Sequence, residues 1–238
     1  KVGWWKNGYP EYFAKVLNAP NWIGIDVIIE GEKLDLKTCK EVSDFRRELN
    51  MKEGWYQRSF RATLKNDISI KIIATRFLSM ELDELGAIDY QVELLSGAAK
   101  VTFIPYIDSG ISNTDANWEE KFWETTEVKT DGHQGFITAK TLKTEFHVCT
   151  FMQSKVFIDH AEAEAEFSKE MLDDKVIFSY TLNGKKGETL GIQKFAGYVT
   201  DLNHSKEDLL SAAKNVMAKG LNHGFDGLMD LQKESWAR

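Results

Sequence analysis

With 238 residues, 42% hydrophobic and 28% charged, and only 3 prolines, the chain can bury a full core as one large domain or two smaller units, which excludes disordered and low-complexity classes. The net charge of −7, with no block of Lys or Arg, excludes the counterion-release signature of a nucleic-acid binder and argues against an anionic membrane surface, while a neutral partner such as a sugar or another protein fits. No run of about 18 apolar residues is present to span a membrane, and two cysteines, Cys39 and Cys149, are too few for a disulfide framework; their apolar and β-branched neighbours suit small buried thiols in a reducing, cytoplasmic compartment.

Residues 1–21 are rich in aromatics, Asn, Gly and Pro, without one clean period, and read as a loop laid over another surface. The chain opens without Met inside this aromatic run and closes inside a helical pattern. It is therefore expected to be a piece of a longer protein. Residues 22–30 alternate, with Ile23, Ile25, Val27 and Ile29 on one face, and Gly31 turns the chain back over residues 33–36. Residues 44–60 (DFRRELNMKEGWYQRSF) predict a strand, a turn at residues 52–54 and a return strand continuing to Leu64.

Residues 68–78 are strongly β-branched, and residues 85–95 and 99–107 predict two further strands across Ser96-Gly97. Pro105 cannot donate to a ladder, which places it on an edge strand or at the last paired residue. Residues 108–120 (DSGISNTDANWEE) form the longest aperiodic stretch, of the kind that serves function or an interface. Asp131-Gly132 predicts a hairpin between residues 121–129 and 135–142, followed by one long strand or a strand pair over residues 146–158.

Residues 161–167 (AEAEAEF) allow two readings. Alternating Glu fits a strand with one solvated face, whereas Ala and Glu also favour helix; the strands on either side favour the strand. Residues 175–182 and 189–200 flank a loop at residues 183–187. The pattern then changes to helix. Ser205 is a good N-cap, Leu209, Leu210, Ala213, Val216 and Met217 make an apolar stripe, and Gly220 is placed to end the helix. A second helix starts near Phe225. About a dozen strands before two helices predict an all-β sandwich of unusual size, residues 1–203, with a helical connector, residues 204–238.

The five histidines stand at no metal-ligand spacing, so no metal site is expected, and no pairing of histidine with carboxylate stands out. There is no phosphate-binding glycine loop in a strand-to-helix context and no nucleophile elbow. Asp108, Asp115, Glu119 and Glu120 share a loop with Trp118, Phe122 and Trp123. Carboxylates beside stacking aromatics suit a sugar, but a solvated loop whose aromatics dock on a neighbouring domain is the plainer reading. Trp4, Trp5, Trp118 and Trp123 are thus candidates for interdomain or carbohydrate contact.

Residues 4–22 (WWKNGYPEYFAKVLNAPNW), 45–60 (FRRELNMKEGWYQRSF), 74–92 (ATRFLSMELDELGAIDYQV), 141–154 (TLKTEFHVCTFMQS) and 204–220 (HSKEDLLSAAKNVMAKG) resemble glycoside hydrolase family 65, its maltose-acting members above all. The resemblance implies a galactose mutarotase-like β-super-sandwich whose first segment precedes the present chain. A helical linker then leads into an absent (α/α)6 catalytic barrel. It further implies an inverting disaccharide phosphorylase that uses inorganic phosphate and no cofactor, with the catalytic Glu in the barrel and no catalytic residue in this chain. The implied partners are that barrel, a second copy in a homodimer and a disaccharide, with trehalose or kojibiose as alternatives to maltose. An autonomous carbohydrate-binding module and a self-contained epimerase with a His/Glu pair are the competing readings.

Overall fold

The computed structural model describes residues 16–113 and 121–237, together with the backbone of a short strand pair, β1 (Val2–Gly3) and β2 (Tyr12–Phe13). Fourteen further strands run in chain order. They are β3 (Ile25–Ile29), β4 (Glu32–Lys33), β5 (Glu41–Asn50), β6 (Trp55–Thr63), β7 (Ser69–Leu78), β8 (Leu85–Leu94), β9 (Ala99–Asp108), β10 (Trp123–Asp131), β11 (Gln134–Thr141), β12 (His147–Ile158), β13 (Ala161–Glu162), β14 (Glu166–Met171), β15 (Lys175–Gly184) and β16 (Thr189–Thr200). A 3-10 turn, Lys206–Asp208, leads into helix α1 (Leu209–Trp236).

The strands form an antiparallel sandwich. The nine-stranded sheet runs β10-β11-β12-β16-β8-β7-β6-β5, with β13 added to β12, and the five-stranded sheet runs β14-β15-β9-β3-β4. The larger sheet therefore has two different faces. Its inner face meets the small sheet through Ile70, Ile72, Val92, Leu190 and Ile192 against Val101, Phe103, Val176 and Phe178. Its outer face carries Phe77, Ala87, Phe136, Phe151 and Phe195, which pack under Leu209, Ala213, Met217, Phe225 and Leu228 of α1. Strand β8 explains why its sequence is apolar at consecutive positions: Leu85 to Ile88 are buried on both faces because both faces are covered.

The edges are blunted. Strand β5 is exposed along most of its length and carries Glu41, Asp44, Arg46, Arg47 and Glu48. At the far edge β10 is charged and bulged between Thr125 and Glu127. The β5–β6 turn is held by Asn50, whose Oδ1 accepts from the Lys52 and Glu53 N–H groups at 3.0 Å each. Residues 161–167 are not one strand: β13 and the start of β14, in different sheets, flank residues 163–165, while Ala163, Ala165 and Phe167 pack on the core and the glutamates are exposed, as alternation predicts.

Three expectations need correction. Pro105 is on neither an edge nor a strand end: β9 lies between β15 and β3. The β15 ladder pairs Tyr106 with Ile177 and Phe103 with Tyr180 and lapses between them, and that gap accommodates the missing N–H. Gly220 does not end a helix; it sits inside α1, where its Cα lies against Leu85. The break comes at Gly224, with φ 66° and ψ 177°, a conformation essentially reserved for glycine. Finally, Cys39 is only half-buried, although Cys149 is fully buried, and both thiols are free.

Candidate functional site

The sequence candidates gather at one end of the sandwich only in part. Trp4, Trp5, Trp118, Asp115, Glu119 and Glu120 lie outside the described residues. Trp123 opens edge strand β10 half-buried, and its indole N–H donates to the Asn18 carbonyl at 2.8 Å. Asp108 is engaged in structure. It ends β9, its Oδ1 accepts from the Gly110 N–H at 2.8 Å, and Lys175 lies 3.6 Å from Oδ2. Asn18 and Asn113 lock this end together: the Asn18 N–H donates to Asn113 Oδ1 at 3.0 Å, and Asn113 Nδ2 donates to the Val16 carbonyl at 2.9 Å. Phe122, next to Trp123 in sequence, is buried. The described part of this loop region is thus a hydrogen-bonded scaffold, with part of the Trp123 ring left at the surface.

The charged residues of the β5–β6 hairpin are likewise spent on the fold. Arg46 pairs with Glu48 at 2.6 Å, Arg47 lies over Phe45, Arg58 over Phe60, and Glu53 accepts the Trp55 indole N–H at 2.8 Å.

Two histidine–carboxylate pairs do form, contrary to expectation. His204 Nε2 lies 2.8 Å from Glu84 Oε1, and His147 Nδ1 lies 3.1 Å from Asp201 Oδ2. The partners are 120 and 54 residues apart in sequence, so only the pairing of β16 with β8 and β12 brings them together. Both pairs stand where β16 ends, and each fastens the chain leaving the sheet for α1.

Lys194 is the least expected group. It is fully buried between the sheets, and its Nζ donates to the Tyr106 and Gly24 carbonyls at 2.7 and 3.0 Å. Burial holds this amine well below the ordinary lysine range. These two carbonyls satisfy the amine where no water reaches it. Its sequence neighbours, Gln193 and Phe195, give no sign of this.

A cleft of about 300 Å3 opens on the outer face of the large sheet, beside the break in α1. Asp89, Gln91, Lys155 and Gln193 line it together with Phe157, Phe225, His223 and Asp226. Asp89 is backed by two amides, with Gln91 Nε2 donating to Oδ2 at 2.6 Å and Gln193 also in hydrogen-bond contact. Burial raises its carboxyl above the ordinary value, against the pull of those amides. Among the described residues no group of histidine, cysteine and carboxylate side chains is arranged to hold a metal ion, and no helix is long and apolar enough to cross a membrane.

The family model for the glycosyl hydrolase family 65 N-terminal domain matches residues 1–238. The chain belongs to this family. The Bacillus subtilis maltose phosphorylase is 36% identical over 242 aligned positions, covering 100% of this chain and 31% of that protein. The Thermoanaerobacter brockii α,α-trehalose phosphorylase is 25% identical over 95% of this chain and 31% of its own length. Among solved structures, a putative kojibiose phosphorylase from the human microbiome superposes with a TM-score of 0.81 at 23% identity, over 92% of this chain and 28% of that one, and shows the same fold. The family 65 N-terminal domain described here thus spans about a third of the length of the curated relatives it matches.

Proposed function

We propose that this family 65 domain is the non-catalytic N-terminal part of an inverting disaccharide phosphorylase acting on maltose. The observation that carries the reading is the 36% identity to a maltose phosphorylase across the whole chain, against 25% and 23% to trehalose and kojibiose phosphorylases. In that reaction a general acid protonates the glycosidic oxygen while phosphate attacks the anomeric carbon from the opposite face. Inversion of the α-linkage gives β-glucose 1-phosphate and glucose. The general acid and the residues that bind phosphate belong to the catalytic part beyond this domain, and residues 1–238 alone are inert.

The division at residue 203 assigns the sandwich to support and residues 204–238 to connection. The end of the sandwich beside the last turn of α1 suits docking of the catalytic part. Leu49, Met51, Leu78 and Met80 are all more than half exposed there, next to Trp236, which hydrogen-bonds the Met51 carbonyl. A homodimer and a cytoplasmic location belong to the same reading, the latter consistent with the free thiols Cys39 and Cys149.

The test is 31P NMR of the full-length protein with maltose, trehalose or kojibiose plus inorganic phosphate. β-Glucose 1-phosphate from maltose is expected. Cleavage without phosphate, or no turnover of any of the three, overturns the reading.

A further inference from the structure

The outer face of the large sheet is divided. Its apolar half lies under α1, whereas a polar row crosses the other half in register. Gln57 pairs with Thr75, Thr75 with Asp89, Asp89 with Gln193, and Gln193 with Lys155, on five adjacent strands. Adjacent strands stand about 4.8 Å apart, so these side chains form a continuous line on one face. Such a row facing bulk solvent would need no explanation. Here α1 breaks at Gly224 beside it and walls the row with Phe225 and Asp226, making a cleft.

Three features define what fits. The volume of about 300 Å3 is at the small end of the ~300–1,000 Å3 range of ligand sites, suited to one sugar ring. Gly191, opposite Gln91 and Phe157 in the ladders, leaves the floor without a side chain. The polar lining has Asp89 fixed by the amides of Gln91 and Gln193, Lys155 held 2.9 Å from Glu162, and His160, Thr189, His223 and Asp226 around them. Amides that donate and accept, around the Asp89 carboxyl group, match vicinal hydroxyls that do both. The Phe157 and Phe225 rings supply apolar surface for the C–H faces of a pyranose. Asp89, Glu162 and Asp226 oppose an anionic ligand such as phosphate.

We propose that this cleft binds one hexose unit of a neutral saccharide, held by Asp89, Gln91 and Gln193 and stacked on Phe157. The inference goes beyond the phosphorylase reading and uses it only to choose maltose as the probe.

The experiment is lysine footprinting of the full-length protein. Acetylation of Lys155 is followed by mass spectrometry against maltose concentration, alongside β-glucose 1-phosphate formation. Saturable protection of Lys155 is expected, reaching about tenfold slower modification at tenfold excess over the dissociation constant. Gln193→Leu abolishes the protection. Asp226→Asn, a change at an exposed position, weakens it and serves if Gln193→Leu does not fold. Unaltered Lys155 reactivity up to about 10 mM maltose and glucose, beyond the millimolar end of the affinity scale, overturns the site. Protection that persists in the folded variants also overturns it, because the sugar then acts from elsewhere. Phosphorolysis without protection sinks the cleft and leaves the phosphorylase reading standing; protection without phosphorolysis does the reverse.

Discussion

Gln232 receives the backbone N–H of Met80 on its side-chain oxygen at 2.8 Å, across 152 residues of sequence. Its amide nitrogen donates to the Gly54 carbonyl at 3.1 Å, and the residue is almost wholly buried. One side chain thereby satisfies the tips of both the β5–β6 and β7–β8 hairpins and fixes the last turns of α1 over them.

Gln232→Leu keeps approximate volume and strands both backbone groups. A loss of about 1–3 kcal/mol is expected, the cost of leaving a buried polar group unpaired. Urea denaturation measures it, and hydrogen exchange should accelerate first at residues 228–236. A change within a few tenths of a kcal/mol would remove Gln232 as the fastener.

Lys194 makes stability depend on pH in a specified direction. Its folded pKa lies below the unfolded value, so between the two the unfolded chain binds more protons and stability rises with pH. The contribution is complete above about 10.4 and is lost as pH falls through the folded pKa. Relative to Lys194→Met, the wild type should gain up to about 1.4 kcal/mol per pH unit inside that window. Denaturation series at several pH values from neutral to alkaline check this, and parallel curves would contradict a lowered Lys194 pKa.

Gly197 is a place where two backbones nearly touch. A Cβ there would lie 2.0 Å from the Glu84 carbonyl oxygen and 3.1 Å from the Leu85 Cα. Gly197→Ala must push β16 away from the start of β8, with an expected loss of about 1–3 kcal/mol or more from overpacking. Thermal denaturation reads it directly, and an unchanged midpoint would show that the turn yields freely. The Glu84–His204 pair should loosen with it, visible in the His204 NMR signals.

The two thiols should differ widely in reactivity. Cys149 has no solvent exposure, and burial pushes its thiol up to about 11. Cys39 is half-buried, its thiol raised first by desolvation and then by Glu32 and Asp35. With a thiol reagent at neutral pH, Cys39 should be modified slowly and Cys149 only on unfolding. Equal rates in the folded protein would contradict the packing around β12.

The strand pattern was legible wherever one face was dry and the other wet. The alternation of Ile70, Lys71 and Ile72 in β7 is one case, and the Asn50-anchored turn after β5 is another. The Asp131-Gly132 signal placed its hairpin one residue early: the two-residue loop is Gly132-His133, with Asp131 paired to Gln134. The helix break was legible in kind but not in place. Gly220 was the stop the pattern offered, yet it lies inside α1 close against Leu85, and the break falls four residues later at Gly224. Of the four tryptophans singled out, Trp123 alone falls among the described residues, and its N–H is bound to Asn18, a partner 105 positions away that no local pattern indicates.

The sequence by itself determined the all-β class, the succession of hairpins, the helix after β16 and membership of family 65, because these rest on period, turn chemistry and similarity along the chain. Tertiary structure alone decided the rest. Insertion of β16 between β12 and β8, and of β9 between β15 and β3, are non-local pairings on which hydrophobic alternation is silent. That insertion buries Lys194 against two carbonyls and joins His204 to Glu84. It also lines up Asp89, Gln193 and Lys155, which are three unrelated polar residues in the sequence and one continuous row on the sheet.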